Sequence, residues 1–214
     1  MTELVQFVEA FFRTVYNVPE LIRIGGLIGL ILIVFAETGL LVGFFLPGDS
    51  LLITAGLFAA RGDFNIATLN LTLAAAAIIG DATGYWLGKR TGEALYSRPD
   101  SFFFRRDHLR ITHEFYEKHG GKTIVMARFM PIVRTFAPMV AGVAQMGYRQ
   151  FATYNIVGGV LWVMSMTLGG YYLGHAVPNI EQNIHYVIAV VIFISLLPPG
   201  IAWLRVKLRQ RGAP

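Results

Sequence analysis

The chain has 214 residues, of which 55% are apolar and only 14% are charged. Soluble domains carry about 25% charged residues, so this composition excludes a disordered chain, disfavours a soluble enzyme and predicts an integral membrane protein. The formal net charge of +5 indicates loops that face the cytoplasm rather than nucleic-acid binding, and the absence of cysteine excludes disulfides and thiolate chemistry.

Residues 1–23 combine charges with apolar side chains at helical spacing, which predicts an amphipathic helix at the membrane surface. Its acidic start argues against a cleavable signal sequence. Residues 24–60 are too many for one membrane span, which needs about 20 residues, and barely enough for two. Pro47, Gly48 and Asp49 interrupt this stretch, because proline and glycine break a helix and aspartate caps the next one. We therefore predict a re-entrant hairpin that enters and leaves the membrane on one side.

Five further segments follow. They are a full span at 64–88, a cytoplasmic amphipathic stretch at 89–122, a second broken segment at 123–148, a second full span at 150–175 and a C-terminal span at 182–204. A basic tail then occupies 205–214. If the second broken segment is also re-entrant, 13 of the 18 Lys and Arg residues lie in the cytoplasm, as the positive-inside rule requires. The C-terminus is therefore predicted to be cytoplasmic.

Two short passages occur twice. Residues 84–89 (GYWLGK) resemble 170–175 (GYYLGH), and 45–47 (FLP) resemble 129–131 (FMP). Glycine–aromatic pairs are common in membrane helices, so the likeness is weak alone, but the predicted topology strengthens it because each half crosses the membrane once.

The predicted fold class is thus an all-α integral membrane protein forming a single domain, 1–214. Two inverted repeats, at about 1–90 and about 100–176, each contain an amphipathic helix, a re-entrant helical hairpin and a transmembrane helix. A C-terminal transmembrane helix follows. Inverted repeats recur in transporters, whose sites lie where broken helices meet near the membrane midplane.

Four charged residues lie in the broken segments: Glu37 and Asp49 in the first, Arg128 and Arg134 in the second. Each would cost about 2.5–3.5 kcal/mol if unpaired at that depth. The hairpins enter from opposite faces, so their tips can meet and the two acids can balance the two bases. These residues form either structural ion pairs or a polar site for an anionic group, and we favour the site.

Arginine suits phosphate because its planar fork binds two oxygens at once and stays protonated. Arg128 and Arg134 are therefore predicted to bind a phosphate or carboxylate, helped by N–H donors at the helix breaks. Glu37 and Asp49 are predicted either to take up a proton or to hold the arginines when the site is empty.

Five other residues are candidates for lining the cavity. Asp81 either faces the cavity or is hydrated near the interface, and Asn155 is predicted to bond across helices in a structural role. Pro47, Gly48 and Pro131 lie at the helix breaks.

A stripe of glycines at Gly80, Gly84, Gly88 and Gly92 is predicted to allow close helix packing, within the chain or in a homodimer.

No enzyme motif occurs, so the protein is predicted not to be an enzyme and to need no cofactor. The histidines of the polar stretch, His108, His113 and His119, are spaced by five and six residues and do not share a helical face, so no metal site is expected.

Several motifs together resemble the DedA family over roughly residues 25–175. They are Glu37-Thr38-Gly39 with Phe45-Leu46-Pro47-Gly48-Asp49-Ser50, Arg128-Phe129-Met130-Pro131-Ile132-Val133-Arg134-Thr135-Phe136-Ala137-Pro138 with Ala141-Gly142, Gly80-Asp81, Tyr116-Glu117-Lys118-His119-Gly120-Gly121-Lys122, Tyr154-Asn155 and Trp162. The joint presence of both broken motifs at this separation is specific.

The resemblance implies paired re-entrant helices and a place in the bacterial inner membrane. Eukaryotic relatives scramble phospholipids, and bacterial members are implicated in returning undecaprenyl phosphate to the cytoplasmic leaflet. Some members are tied to the proton-motive force, and at least one is reported to move phosphatidylethanolamine. The family's functional acids fall on Glu37 and Asp49, and its functional arginines on Arg128 and Arg134.

We therefore expect a flippase-type or scramblase-type transporter of undecaprenyl phosphate or a related anionic phospholipid, coupled to protons. Its expected partners are that lipid and protons, with no nucleic acid. Two alternatives stay open: a proton-coupled carrier of small ions, and an envelope scaffold whose buried ion pairs are structural.

Overall fold

A computed structural model of the chain describes residues 18–40, 48–96 and 121–176. These residues form six helices and no strand: α1 (Val18–Gly39), α2 (Gly48–Ala60), α3 (Ile66–Tyr96), α4 (Lys122–Arg128), α5 (Pro131–Val143) and α6 (Tyr148–Ala176). The all-α prediction is confirmed for this part of the chain. Predictions for the first 17 residues, Pro47, 97–120, the C-terminal span 182–204 and the tail 205–214 concern residues outside it.

Three helices are long and apolar enough to cross a membrane: Val18–Gly39, Ile66–Gly92 and Tyr148–Ala176, of 22, 27 and 29 residues. At 1.5 Å per residue the 27-residue helix is about 40 Å long, which is enough to cross the roughly 30 Å hydrocarbon core of a bilayer. Large apolar side chains remain exposed along these helices, among them Ile24, Ile28, Leu32, Leu71, Ile156 and Leu161. A multi-pass membrane protein is the architecture that these helices define.

Helix α1 is divided at Gly26, whose φ of 53° and ψ of −150° interrupt the helical backbone. Only glycine adopts this conformation readily. The part of α1 after the kink, 27–39, is as long as the 13-residue helix α2. Each of these two helical arms is about 20 Å long and therefore shorter than a membrane span.

Helix boundaries flank both predicted breaks: α1 ends at Gly39 before the first, and α4 ends at Arg128 before the second. Helix α2 begins at Gly48, so Asp49 lies inside the first turn and not at the N-cap that the sequence suggested. In the second broken segment α4 ends at Arg128 and α5 begins at Pro131, where proline suits the first turn because its missing N–H has no partner there.

Helix α3 continues to Tyr96, beyond the span predicted to end at residue 88. The polar residues that follow the span, such as Lys89 and Arg90, contain no helix-breaking signal, so the helix extends past the apolar segment. At the other end, the side chain of Asn65 caps α3, since its Oδ1 accepts from the backbone N–H groups of Ala67 at 2.9 Å and Thr68 at 3.1 Å.

The main core lies between α1, α2, α3 and α6. Its fully buried members include Val34, Leu51, Leu57, Leu69, Leu73 and Trp162. A smaller core joins α5 and α6 to the end of α3 that is predicted to face the cytoplasm. In this core the ring of Tyr85 stacks on that of Phe151, with 4.4 Å between the ring centroids.

Glycines bring helix backbones into direct contact at two crossings. Where α2 meets α6, a Cβ on Gly56 would overlap the Thr167 carbonyl, and a Cβ on Gly170 would overlap the Ile53 carbonyl. Where α5 meets α3, a Cβ on Gly142 would overlap the Tyr85 carbonyl. The second helix of each broken segment thus packs on the long helix of the other half.

The predicted glycine stripe on α3 packs against other helices of the same chain, which is one of the two predicted alternatives; the other is a homodimer. A Cβ on Gly80 would overlap Thr38 of α1, and Cβ atoms on Gly88 and Gly92 would press on Met139 and Val143 of α5. One helix face therefore contacts both broken segments.

We predict that Gly170→Ala destabilises the protein while Gly169→Ala does not. The added methyl at position 170 would overlap backbone, and overpacking typically costs about 1–3 kcal/mol. Position 169 has no atom within 4 Å, and alanine is the better helix former by about 1 kcal/mol. Thermal unfolding of both variants in detergent micelles tests this, and equal midpoints would contradict the close crossing.

Candidate functional site

Charged residues from both broken segments meet in one cluster, which we call the Arg134 cluster. Arg134 of α5 donates through Nη2 to Glu37 Oε1 of α1 and through Nη1 to Asp49 Oδ1 of α2. The exposed fractions of the three side chains are 10% for Arg134, 1% for Glu37 and 17% for Asp49. The fork of one guanidinium therefore joins three helices away from solvent.

Trp162 of α6 completes this cluster. Its indole Nε1–H donates to Asp49 Oδ1 at 2.9 Å, and its ring centroid lies 4.8 Å from Cζ of Arg134, within cation–π range. The side chain is 1% exposed. The sequence identifies Trp162 only through the family resemblance, although Trp162 lies seven residues after Asn155 and hence on the same face of α6.

The start of α2 fits closely against Glu37. A Cβ on Gly48 would overlap the Glu37 carboxylate, and that carboxylate faces the Gly48 backbone N–H. The first N–H groups of a helix carry partial positive charge and attract anions. Glycine at position 48 thus lets a helix N-terminus approach the buried acid.

A second cluster surrounds Arg128 of α4, and we call it the Arg128 cluster. Arg128 Nη2 donates to Asp81 Oδ2 of α3 and to Asn155 Oδ1 of α6. Asn155 in turn donates through Nδ2 to the Ile78 carbonyl at 3.0 Å. Both charged side chains are 4% exposed, so the ion pair is fully enclosed.

Small residues on α6 make room for Arg128. A Cβ on Gly158 would lie 3.1 Å from Arg128 Cδ, and a Cβ on Gly159 would lie 3.4 Å from its Nη2. Arg128 is therefore enclosed by helix α6 along its length as well as bonded at its tip.

The structure corrects the charge balance inferred from the sequence. The expected balance of two acids and two bases is wrong, because Asp81 is buried at 3% exposure and pairs with Arg128. Hydration at the interface is thus excluded for Asp81. Glu37 and Asp49 both pair with Arg134, so the Arg134 cluster has one more carboxylate than guanidinium.

The remaining candidates separate by position. Gly48 belongs to the Arg134 cluster, Asn155 bonds across helices in the Arg128 cluster, and Pro131 begins α5 between the two arginines. Pro47 lies outside the described residues. Within the described ranges no group of three or more His, Asp or Glu side chains is arranged to hold a metal ion.

This geometry defines the class of protein: a helical, multi-pass membrane protein with paired charges at two helix breaks. The VTT domain family matches residues 46–172. The chain is 51% identical over 180 residues to Protein DedA of Escherichia coli, covering 83% of this chain and 82% of that protein. The chain belongs to the DedA family of VTT-domain membrane proteins.

Two other relatives match the chain over a similar share of its length. An uncharacterised membrane protein of Mycobacterium tuberculosis is 45% identical over 87% of this chain and 82% of its own length. The inner membrane protein YqjA of Escherichia coli is 35% identical over 81% of this chain and 79% of its own length. No solved structure matches the chain.

We predict that Asp81→Asn strongly destabilises the protein, because it leaves the buried guanidinium of Arg128 without a counter-charge. Breaking a buried ion pair in this way typically costs about 3–5 kcal/mol. Thermal unfolding in micelles measures the loss. Asp63→Asn, at the partly exposed Arg61–Asp63 pair, serves as control and should change stability by about 1 kcal/mol or less.

The double variant Asp81→Asn/Arg128→Gln removes both buried charges and should be more stable than Asp81→Asn alone. If the double variant is the less stable of the two, the penalty does not arise from an unpaired charge.

Proposed function

We propose that this protein is a lipid transporter of the bacterial inner membrane that moves an anionic lipid headgroup between leaflets. The observation that carries the proposal is the Arg134 cluster, in which a buried guanidinium is shared by two carboxylates where two helix breaks meet. Undecaprenyl phosphate, or a related anionic phospholipid, is the proposed substrate.

The chemistry of Arg134 supports a phosphate ligand. The fork now binds one oxygen from each of two carboxylates, and two oxygens of a single lipid phosphate can take their places in a bidentate pair. Arg134 is slightly exposed and donates its described hydrogen bonds to two carboxylates, whereas Arg128 is enclosed and also bonded to the neutral Asn155. We therefore propose that the phosphate binds Arg134 directly, while Arg128 fixes the second helix break and adds positive charge nearby.

The surplus carboxylate supports coupling to protons. With both acids ionised the Arg134 cluster carries one net negative charge, which is costly to bury in a membrane. We propose that Glu37 or Asp49 binds a proton in the empty state and exchanges it as the phosphate arrives. Lipid and protons are then the partners, and no covalent step is required.

The helix lengths support the inverted-repeat architecture. The arms 27–39 and α2 are each too short to cross a 30 Å core, and the kink at Gly26 lets the first part of α1 follow the membrane surface. The reciprocal glycine crossings fit two repeats, at about 1–90 and 100–176, in one membrane domain. We propose that both broken segments are re-entrant.

Charge supports the proposed orientation. Lys89 and Arg90 end the apolar part of α3 beside the start of α6, which carries Arg149, and the rings of Tyr85 and Tyr148 join the two helices with 5.7 Å between centroids. Basic residues are typical of the cytoplasmic interface, and aromatic rings are typical of both membrane interfaces. We place this end, and by the predicted topology the C-terminus, in the cytoplasm.

We predict that Arg134→Lys reduces transport of undecaprenyl phosphate at least about tenfold, because lysine keeps the charge but lacks the fork. The measurement is the movement of labelled undecaprenyl phosphate between leaflets of liposomes that contain the purified protein. Arg149→Lys, an exposed arginine in α6, is the matched control and should transport normally.

Two results would overturn this substrate assignment. Full transport by Arg134→Lys would exclude phosphate recognition by the fork, and full transport by a folded Arg128→Ala variant would exclude the two-arginine site. Movement of phosphatidylethanolamine without undecaprenyl phosphate would change the substrate, whereas movement of neither lipid would favour an ion carrier or a scaffold.

Replacing the proton-binding acid should abolish the acceleration of transport by a pH gradient. We expect this for Glu37→Gln or for Asp49→Asn, since an amide of the same shape cannot exchange a proton. Initial rates with and without a gradient provide the test, with Asp63→Asn as control. If both single variants respond to the gradient as the wild type does, proton coupling does not reside in the Arg134 cluster.

A further inference from the structure

Asp49 of the Arg134 cluster has a second donor besides the guanidinium. This donor is the indole N–H of Trp162 at 2.9 Å, whereas Glu37 lies against the N-terminal end of α2 at Gly48. The two donors to Asp49 therefore come from different helices, Arg134 from α5 and Trp162 from α6.

The second donor to Asp49 matters if a ligand binds the guanidinium of Arg134. A buried carboxylate left without a hydrogen-bond donor is strongly destabilised, so a ligand that took the fork of Arg134 would have to overcome that penalty. The charged groups that face Asp49 are Glu37 on α1 and Arg134 on α5, and α6 contributes the uncharged indole of Trp162. Trp162 is thus the donor that can remain on Asp49 when Arg134 leaves.

The ring of Trp162 adds a second constraint. Its centroid lies 4.8 Å from Cζ of Arg134, so the same side chain both holds Asp49 and supports the guanidinium by a cation–π contact. With 1% exposure the indole is fixed by the core around it. A rigid indole therefore keeps both partners in place while the hydrogen bonds between them change.

We infer that Trp162 is a positioning residue of the transport site, which keeps Asp49 hydrogen-bonded while Arg134 transfers from Asp49 to the phosphate of the lipid. This inference rests on the proposed function and adds the step by which the site releases its arginine. The indole N–H serves the exchange, and the indole ring keeps the freed guanidinium beside its former partner.

Trp162→Phe tests the role of the N–H because phenylalanine retains an aromatic ring without a donor. We expect the mole fraction of undecaprenyl phosphate that gives half-maximal transport to rise about tenfold, with a change of less than about threefold in the maximal rate. A merely structural loss would lower the amount of active protein and hence the maximal rate instead. Trp86→Phe, at a half-exposed ring on α3 that contacts Arg90, is the matched control and should change neither value.

A second measurement leaves the site intact. The chain has three tryptophans, so Trp86→Phe/Trp203→Phe makes Trp162 the only indole. In micelles, adding undecaprenyl phosphate should change the emission of Trp162, whereas undecaprenol, which has the same tail without phosphate, should not. Asp49→Asn in this background should abolish or reduce the change.

The outcomes separate the two proposals. If wild-type protein does not distinguish undecaprenyl phosphate from undecaprenol in transport or in binding, the proposed function fails, and the role of Trp162 with it. If wild-type protein is selective but Trp162→Phe behaves like Trp86→Phe, or Trp162 emission is insensitive to the phosphate, only the role of Trp162 is overturned.

Discussion

Arg134 cannot remain charged inside a membrane without counter-charges, and the pairing that meets this requirement organises the rest of the structure. The two carboxylates it binds come from α1 and α2, on either side of the first helix break, while Arg134 itself follows the second break. The two broken segments must therefore face each other. The site arises where they meet because that is where the buried charges can be satisfied.

Glycine makes this meeting possible. The charged side chains reach one another only if α2 lies close to α6 and α5 lies close to α3, and at both crossings a single added Cβ would overlap backbone atoms. The contact of Gly39 with Gly80 brings α1 equally close to α3, which places Glu37 and Asp81 on adjoining helices. Close packing and charge pairing are thus two parts of one arrangement, and the proposed lipid site depends on both.

Much of this arrangement follows from sequence, but not the partners. Apolar length predicts the long helices, Pro47 and Pro131 mark the breaks, and the scarcity of charge identifies Glu37, Asp49, Arg128 and Arg134. Which acid meets which arginine depends on how the helices cross, and periodicity within one helix does not determine the crossing of two. For that reason the sequence alone does not decide between the cavity and the membrane interface for Asp81, and it does not predict Trp162 beside Asp49.

The surplus carboxylate of the Arg134 cluster has a further consequence for the proposed transport, because it gives the site a net charge on which membrane voltage can act. An elementary charge moved through the full field changes in energy by about 2.3 kcal/mol per 100 mV. With both acids ionised the cluster has a net charge of −1, on which the field exerts a force. One bound proton makes the cluster neutral. In the proposed mechanism a single protonation would therefore switch the Arg134 cluster between a voltage-sensitive and a voltage-insensitive state, and the electrical and chemical parts of a proton gradient would act on the same three side chains.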